Sequence, residues 1–309
     1  MTKPVPLLEA ATVENFDPVR YKLANPDLAG CNDPREHFKL FGIRESRMQI
    51  SCELLRDSAY RKRKFSLFSH VLAFPNQKIN SFPAVFGGEH YELEEYQAES
   101  ANAEFGEFVS EIERSPDRLF LNLGCGLRHI HYDNCLYVEV YPSLSADLIV
   151  TPELPYPIRS SSLDGIGCFA VLEHTRRPWQ VVEEMNRMLK PGGRVFIDWP
   201  FLQPTHGFPS HFFNATREGL TSLFTDNGFE IEVANTYPHQ WPSFTVNWIL
   251  GKLLDDLPRE LSDEFRELKV GELVRREPLG EFWRRVVAAM SDDKISEFAC
   301  GNSLIGTKK

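Results

Sequence analysis

The sequence predicts an α/β protein whose centre is a doubly wound, mostly parallel sheet of seven strands. Three observations predict it. Short apolar runs alternate with amphipathic helical stretches from residue 118 onward. The first of these runs, Phe120-Leu121-Asn122-Leu123, ends directly on Gly124-Cys125-Gly126. The helical stretches close on glycine turns, at Pro191-Gly192-Gly193 and at Gly228. Such alternation puts helices on both faces of a parallel sheet.

Taken in order, the chain begins with a small helical module over residues 1–50. Asp17-Pro18 and Asp33-Pro34 each place a capping carboxylate before a first-turn proline. Glu36 adds a capping-box pattern to the second, and Gly42 sits where that helix would end. The two helices are expected to pack through Phe16, Tyr21, Leu23, Leu28, Phe38 and Phe41. Residues 51–117 form a connecting region. In it Arg61-Lys62-Arg63-Lys64 reads as a solvated helix face, "SFPAVFGGEHYE" as a loop, and residues 93–113 as a leading helix with Phe105, Phe108 and Ile112 on its apolar face.

Residues 118–309 carry the sheet. The expected strands are 118–123, 136–140, 146–150, 163–169, 194–199, 229–234 and a closing strand at 302–307, with helices at 179–189 and 216–227. A helical insertion at about 238–296 precedes the last strand and holds Trp248, Leu250, Leu253, Phe265, Leu268, Phe282, Val286 and Val287.

Composition narrows the function classes. The 309 residues are 42% hydrophobic with a net charge of −10. No basic stripe exists to displace counterions, so nucleic acid is not an expected partner. Six cysteines lie scattered without a C-x-x-C pair, which reads as reduced thiols in a cytoplasmic protein without a leader. The most apolar stretch, residues 244–254, is interrupted by Asn247, Gly251 and Lys252, so no membrane span is expected. His206, His211 and His239 lack ligand spacing, and no metal is expected.

Four segments in order, "LNLGCG", "YVEVYP", "LPYPIRSSSLDGIGCFAVLEH" and "MLKPGGRVFIDWP", resemble the motifs of class I S-adenosylmethionine-dependent methyltransferases. The resemblance spans residues 118–236 plus the last strand and implies a Rossmann-like sheet with two helices trimmed. It implies S-adenosyl-L-methionine as cofactor, bound by Asn122, Gly124, Cys125 and Gly126. Glu139 would take the ribose hydroxyls, and Cys168, Phe169, Ala170 and His174 would lie along the pocket. The residues agree with this. Glycines let backbone approach a ligand, and their N–H groups would form a nest for a carboxylate. An acidic residue at the end of a second strand suits a ribose. His174 reads equally as a helix-entry residue bonded to backbone. Family members often place Asp after the third strand to touch adenine, and this chain has Thr151, so Thr151 or a carbonyl would substitute. Arg128 would pair with the cofactor carboxylate or sit on the surface.

The segment "WPFLQPTHGFPSHFFNATREGL" resembles the stretch after the fifth strand in many of these enzymes. His206 and His211 are its groups suited to take a proton from a hydroxyl, or they bond within an ordered loop. The N-terminal D-P…Y…N-P-D and D-P-x-x-H-F…G…E-x-R pattern resembles a small module found beside glycosyltransferases and other bacterial surface-polysaccharide proteins. The expected function is therefore methyl transfer to a hydroxyl or similar nucleophile of a small-molecule or glycan acceptor, with a glycan-assembly protein as a partner. The alternative is a degenerate methyltransferase fold acting as a scaffold. A dinucleotide oxidoreductase fits poorly, because position 129, which should be glycine or alanine, is His129.

Overall fold

The computed structural model describes residues 4–28, 30–51, 58–74, 83–87, 106–152, 155–207, 210–300, 303 and 307. Its strands are β1 (Val5–Pro6), β2 (Leu8–Ala10), β3 (Met48–Ile50), β4 (Ala84–Phe86), β5 (Phe120–Leu123), β6 (Ile130–His131), β7 (Cys135–Glu139), β8 (Leu148–Val150), β9 (Leu163–Phe169) and β10 (Leu189–Asp198). Six of them form the central sheet in the order β10-β9-β5-β7-β8-β4. Every pairing in it is parallel.

Every residue of β5, β7 and β8 is buried, as strands covered on both faces must be. On one face Leu121, Leu123, Leu136, Val138 and Ile166 meet Val181, Val182, Met185 and Met188 of the helix Pro178–Met188. On the other, Phe120, Tyr137, Ile149, Phe169 and Phe196 meet Phe108 and Ile112 of the helix Gly106–Arg114. Each such side chain removed from water stabilises the fold by roughly 1.5–3 kcal/mol.

The structure departs from the expectation at several points. Ala84–Phe86, expected to be loop, is the edge strand β4 and pairs with β8. Residues 229–234 form no strand. Phe229 and Ile231 pack on the core and Arg194 ion-pairs with Glu232 at 2.7 Å, so side chains hold this segment beside β10 without a ladder. The closing strand at 302–307 and residues 93–105 of the leading helix fall largely or wholly outside the described residues. The basic run is a solvated face only at Lys62 and Arg63: Arg61 and Lys64 are buried, and Lys64 Nζ lies 2.6 Å from the buried Asp147.

Both N-terminal caps form. Asp17 accepts the N–H groups of Val19 and Arg20, and Asp33 those of Arg35 and Glu36. Phe16, Tyr21, Leu28 and Phe38 pack together, whereas Leu23 and Phe41 are exposed. The module is sewn to the sheet domain: β1 pairs antiparallel with β6, and Leu7, Leu8 and Ile50 pack on Leu127 just past the glycine turn. This packing covers the short connection between the glycine turn and β7. The insertion builds its own core from Leu253, Leu257, Leu261, Phe265, Phe282 and Val286, with Val287 exposed.

Candidate active site

The carboxyl ends of β5, β7 and β9 bring the motif residues to one rim, the place where open parallel sheets bind ligands. Gly124 adopts a φ of +67° and Gly126 a φ of +55°. At Gly124 a Cβ would overlap Val171 Cγ2, so glycine is needed for both conformation and close approach. The amides of this turn are engaged within the protein. Gly124 N–H and Cys125 N–H both donate to the Val138 carbonyl, at 2.9 and 3.0 Å. Gly126 N–H donates to Glu139 Oε2 at 2.9 Å. The three amides expected to form a carboxylate nest thus already have partners on β7. Asn122 and Cys125 are buried beside it.

Glu139 ends β7 and is buried. Its Oε1 accepts the Val140 N–H at 2.8 Å. Each oxygen therefore takes one amide and keeps a further lone pair. Burial raises the carboxyl pKa, while the Gly126 and Val140 amides and the Arg128 charge pull it back. Arg128 is buried, not on the surface. A buried carboxylate at a strand end, with acceptor capacity to spare, fits the two hydroxyls of a ribose.

The remaining residues sort by face. Phe169 packs on Phe108 with ring centroids 5.5 Å apart. Cys168 lies in the opposite core layer, and burial pushes its thiol up. Ala170 turns the chain with a φ of +54° and donates its N–H to the Asp198 carbonyl at 2.9 Å; a non-glycine residue held there is costly. Thr151 sits against Gly87, where a Cβ would overlap its Oγ1.

Beyond β9 the short turn Leu172–His174 carries Glu173 and His174 under the loop that holds His206 and His211. His174 Nδ1–H donates to the Ser210 carbonyl at 2.9 Å, which accounts for the backbone-bonded reading of this residue. His206 Nδ1–H donates to the Pro204 carbonyl at 2.8 Å. His211 has both ring nitrogens engaged: Nδ1 accepts the His206 N–H at 3.3 Å and Nε2–H donates to Asn214 Oδ1 at 2.6 Å. His239 stands apart from these, 2.7 Å from Asp198 Oδ2. Glu173 was not singled out by sequence; its signal, an acidic residue directly before His174, reads as an ordinary helix start.

Residues 140–197 match the family model described as a methyltransferase domain. That span runs from the end of β7 through β8 and β9 to β10. No match is found among curated proteins. Among solved structures, the chain is similar to the YcgJ protein from Bacillus subtilis, at 15% identity and a TM-score of 0.34, over 54% of this chain and 92% of that one. It is also similar to phosphoethanolamine N-methyltransferase 2 of Haemonchus contortus in complex with S-adenosyl-L-methionine, at 14% identity and a TM-score of 0.33, over 78% of this chain and 57% of that one. A third likeness is to the [4+2]-cyclase SpnF, at 15% identity and a TM-score of 0.30, over 61% of this chain and 78% of that one.

Proposed function

We propose that this chain transfers a methyl group from S-adenosylmethionine to a hydroxyl or similar nucleophile of a small-molecule or glycan acceptor. The observation that carries the reading is the buried Glu139 carboxylate, fixed by Gly126 N–H at the mouth of the glycine turn. The methyltransferase-domain match over residues 140–197 supports it. S-adenosylmethionine, when bound, supplies an electrophilic methyl on a sulfonium centre. The chain's own part is to bind, orient and exclude water, and alignment in a dry pocket accounts for most of the rate in such a displacement. Glu139 would accept the ribose hydroxyls, Asn122 and the Gly124-Cys125-Gly126 turn would line the methionine end, and Phe169 and Ala170 the pocket floor, with Cys168 contributing backbone only because its thiol faces the opposite core layer. Arg128 is the buried cation that would answer the methionine carboxylate, since the turn's amides are engaged. Thr151 or a neighbouring carbonyl would meet the adenine.

His206 and His211 complete the proposal at the acceptor side. In the ring form set by Pro204, His206 keeps Nε2 as a lone pair able to receive a proton. His211 orients His206 through its bond to the His206 amide. The N-terminal module's resemblance supports a glycan acceptor and a glycan-assembly partner.

Calorimetry with S-adenosylmethionine and S-adenosylhomocysteine tests the reading. Binding is expected, and Glu139→Ala should weaken it by about 1.5–3 kcal/mol, the worth of hydrogen bonds to a charged group. Folded protein that binds neither compound would sink the proposal. His206→Ala is expected to leave cofactor affinity intact and lower turnover. A second reading, a scaffold that retains the fold without turnover, is favoured by the amides of Gly124 and Cys125 both ending on Val138; an absence of binding in that experiment would select it.

A further inference from the structure

Three side chains at the rim share a feature that proton transfer does not explain. Glu173 is fully buried, and neither carboxylate oxygen meets a hydrogen-bond partner of good geometry among the described residues. Burying a carboxyl group without partners is costly in either protonation state, since the neutral acid would still hold an unmet donor. Two imidazoles stand beside it. His174 and His206 each donate Nδ1–H to a backbone carbonyl, of Ser210 and Pro204. In both rings that bond fixes the form whose Nε2 carries the lone pair, the arrangement that orients metal-ligating histidines. His174 Nε2 lies 3.8 Å from Glu173 Oε1, and one ligand atom from each of Glu173, His174 and His206 lies within 4.8 Å of the others. Glycine at 207 keeps the approach open, for a Cβ there would overlap the His174 ring. Trp248 from the insertion packs on His206 at 5.0 Å between centroids and restricts its ring.

We infer that Glu173, His174 and His206 form a binding site for a divalent first-row metal ion of the zinc class, with coordination positions left open toward the rim. The ion would take the same His206 Nε2 lone pair that the methyl-transfer reading uses as a base, so a metal-loaded chain would not use His206 to accept a proton. Two neutral imidazoles and one carboxylate suit zinc and its neighbours better than magnesium or calcium, which prefer oxygen. Three protein ligands are the number found where a metal keeps an open position. A tetrahedral ion with bonds of about 2.0–2.1 Å sets its ligands roughly 3.3 Å apart, so binding would draw these groups inward by up to about 1.5 Å. His211, with Asn214 behind it, holds His206 rather than joining the set.

Uptake of a cation is a property of the folded chain alone and does not rest on methyl transfer. The test uses the full chain, stripped with a chelator and titrated with Zn(II) by calorimetry and with Co(II) by visible absorption. One equivalent of each is expected, with d–d bands of a four- or five-coordinate Co(II) centre. Glu173→Gln and His206→Ala should each weaken binding at least tenfold, and Zn(II) should raise the melting temperature of the parent more than that of either variant. His206 lies in a half-buried loop, so its variant decides the matter even where Glu173→Gln fails to fold. His239→Ala, outside the cluster, should bind like the parent. Folded parent that takes up no Zn(II), variants that keep the parent's affinity, or an equal loss in His239→Ala would each overturn the inference. Zn(II) uptake without S-adenosylmethionine binding would uphold it while sinking the methyl-transfer reading, and the reverse result would do the opposite.

Discussion

At the scale of residues, His131 shows how burial writes a pH dependence into the fold. Its Nε2–H donates to the Ser145 carbonyl at 2.6 Å, and its ring stacks on Tyr137 at 4.1 Å. Burial, with Lys64 and Arg61 nearby, lowers its pKa from 6.5 to about 3, against a smaller pull upward from Asp147 and the Ser145 bond. The folded state therefore binds fewer protons than the unfolded chain between those values. The resulting stabilisation is fully present above pH 6.5 and is lost as the pH falls toward about 3. Urea unfolding from about pH 7 down to about pH 4 should show stability falling by up to about 1.4 kcal/mol per pH unit from this group. His131→Phe keeps a ring on Tyr137 and should flatten that slope; an unchanged slope would assign the loss to other groups. Nothing near position 131 in the sequence marks a buried histidine, since its partners come from β7, the Ser145 turn and the basic run.

Elements were legible where the pattern is local. The capped N-terminal helices, the helix Pro178–Met188 and the buried strands β5, β7 and β9 follow from spacing alone, whereas Pro191-Gly192-Gly193, expected to close that helix, lies within β10 at its register shift. Elements whose identity depends on a distant partner were not. Four consecutive cations read as a solvated face, yet Lys64 finds Asp147 across a sequence separation of 83 residues and lies 4.5 Å from the Tyr137 ring centroid. Burial alone would raise the Asp147 pKa, but Lys64, His131 and Arg61 hold it below its usual value. Lys64→Ala would leave that buried carboxylate with only the Tyr137 N–H at 3.0 Å and Arg61 Nε at 3.9 Å, and chemical denaturation should show a loss of about 3 kcal/mol. Lys62→Ala, on the exposed side of the same helix, should stay within about 0.5 kcal/mol of the parent. Strand β4 was hidden for a similar reason: its flanking Pro83 and Gly87 suggest a loop, and the exposed edge of β8 makes it a strand. The rim cluster was partly legible: His206 stood out as ionisable, but the unpartnered carboxyl of Glu173 is visible only once the loop closes over it.

For the whole molecule, the sequence carried the fold class and the strand-to-glycine geometry, and it marked the two short connections after the glycine turn as trimmed. What fills the resulting gap lies at the other end of the chain. Leu7, Leu8 and Ile50 pack on Leu127, and Leu7 N–H donates to the His129 carbonyl at 2.8 Å. Leu7→Ala should cost about 2–5 kcal/mol as a large-to-small core change. It should also speed amide hydrogen exchange between Leu127 and His131 more than in the helix Pro178–Met188. Uniform acceleration would mean the module supports the fold generally and not this loop in particular.

The pairing of β1 with β6 also sets an order of events during synthesis. Val5 and Pro6 leave the ribosome well before their partners, Ile130 and His131, are made. Until then Leu7 and Leu8 travel as exposed apolar side chains on an unpaired edge, the kind of surface that chaperones and other nascent chains recognise. The glycine turn, once made, is flanked by a segment that was already waiting, so the packing beside it is completed by residues synthesised well before it.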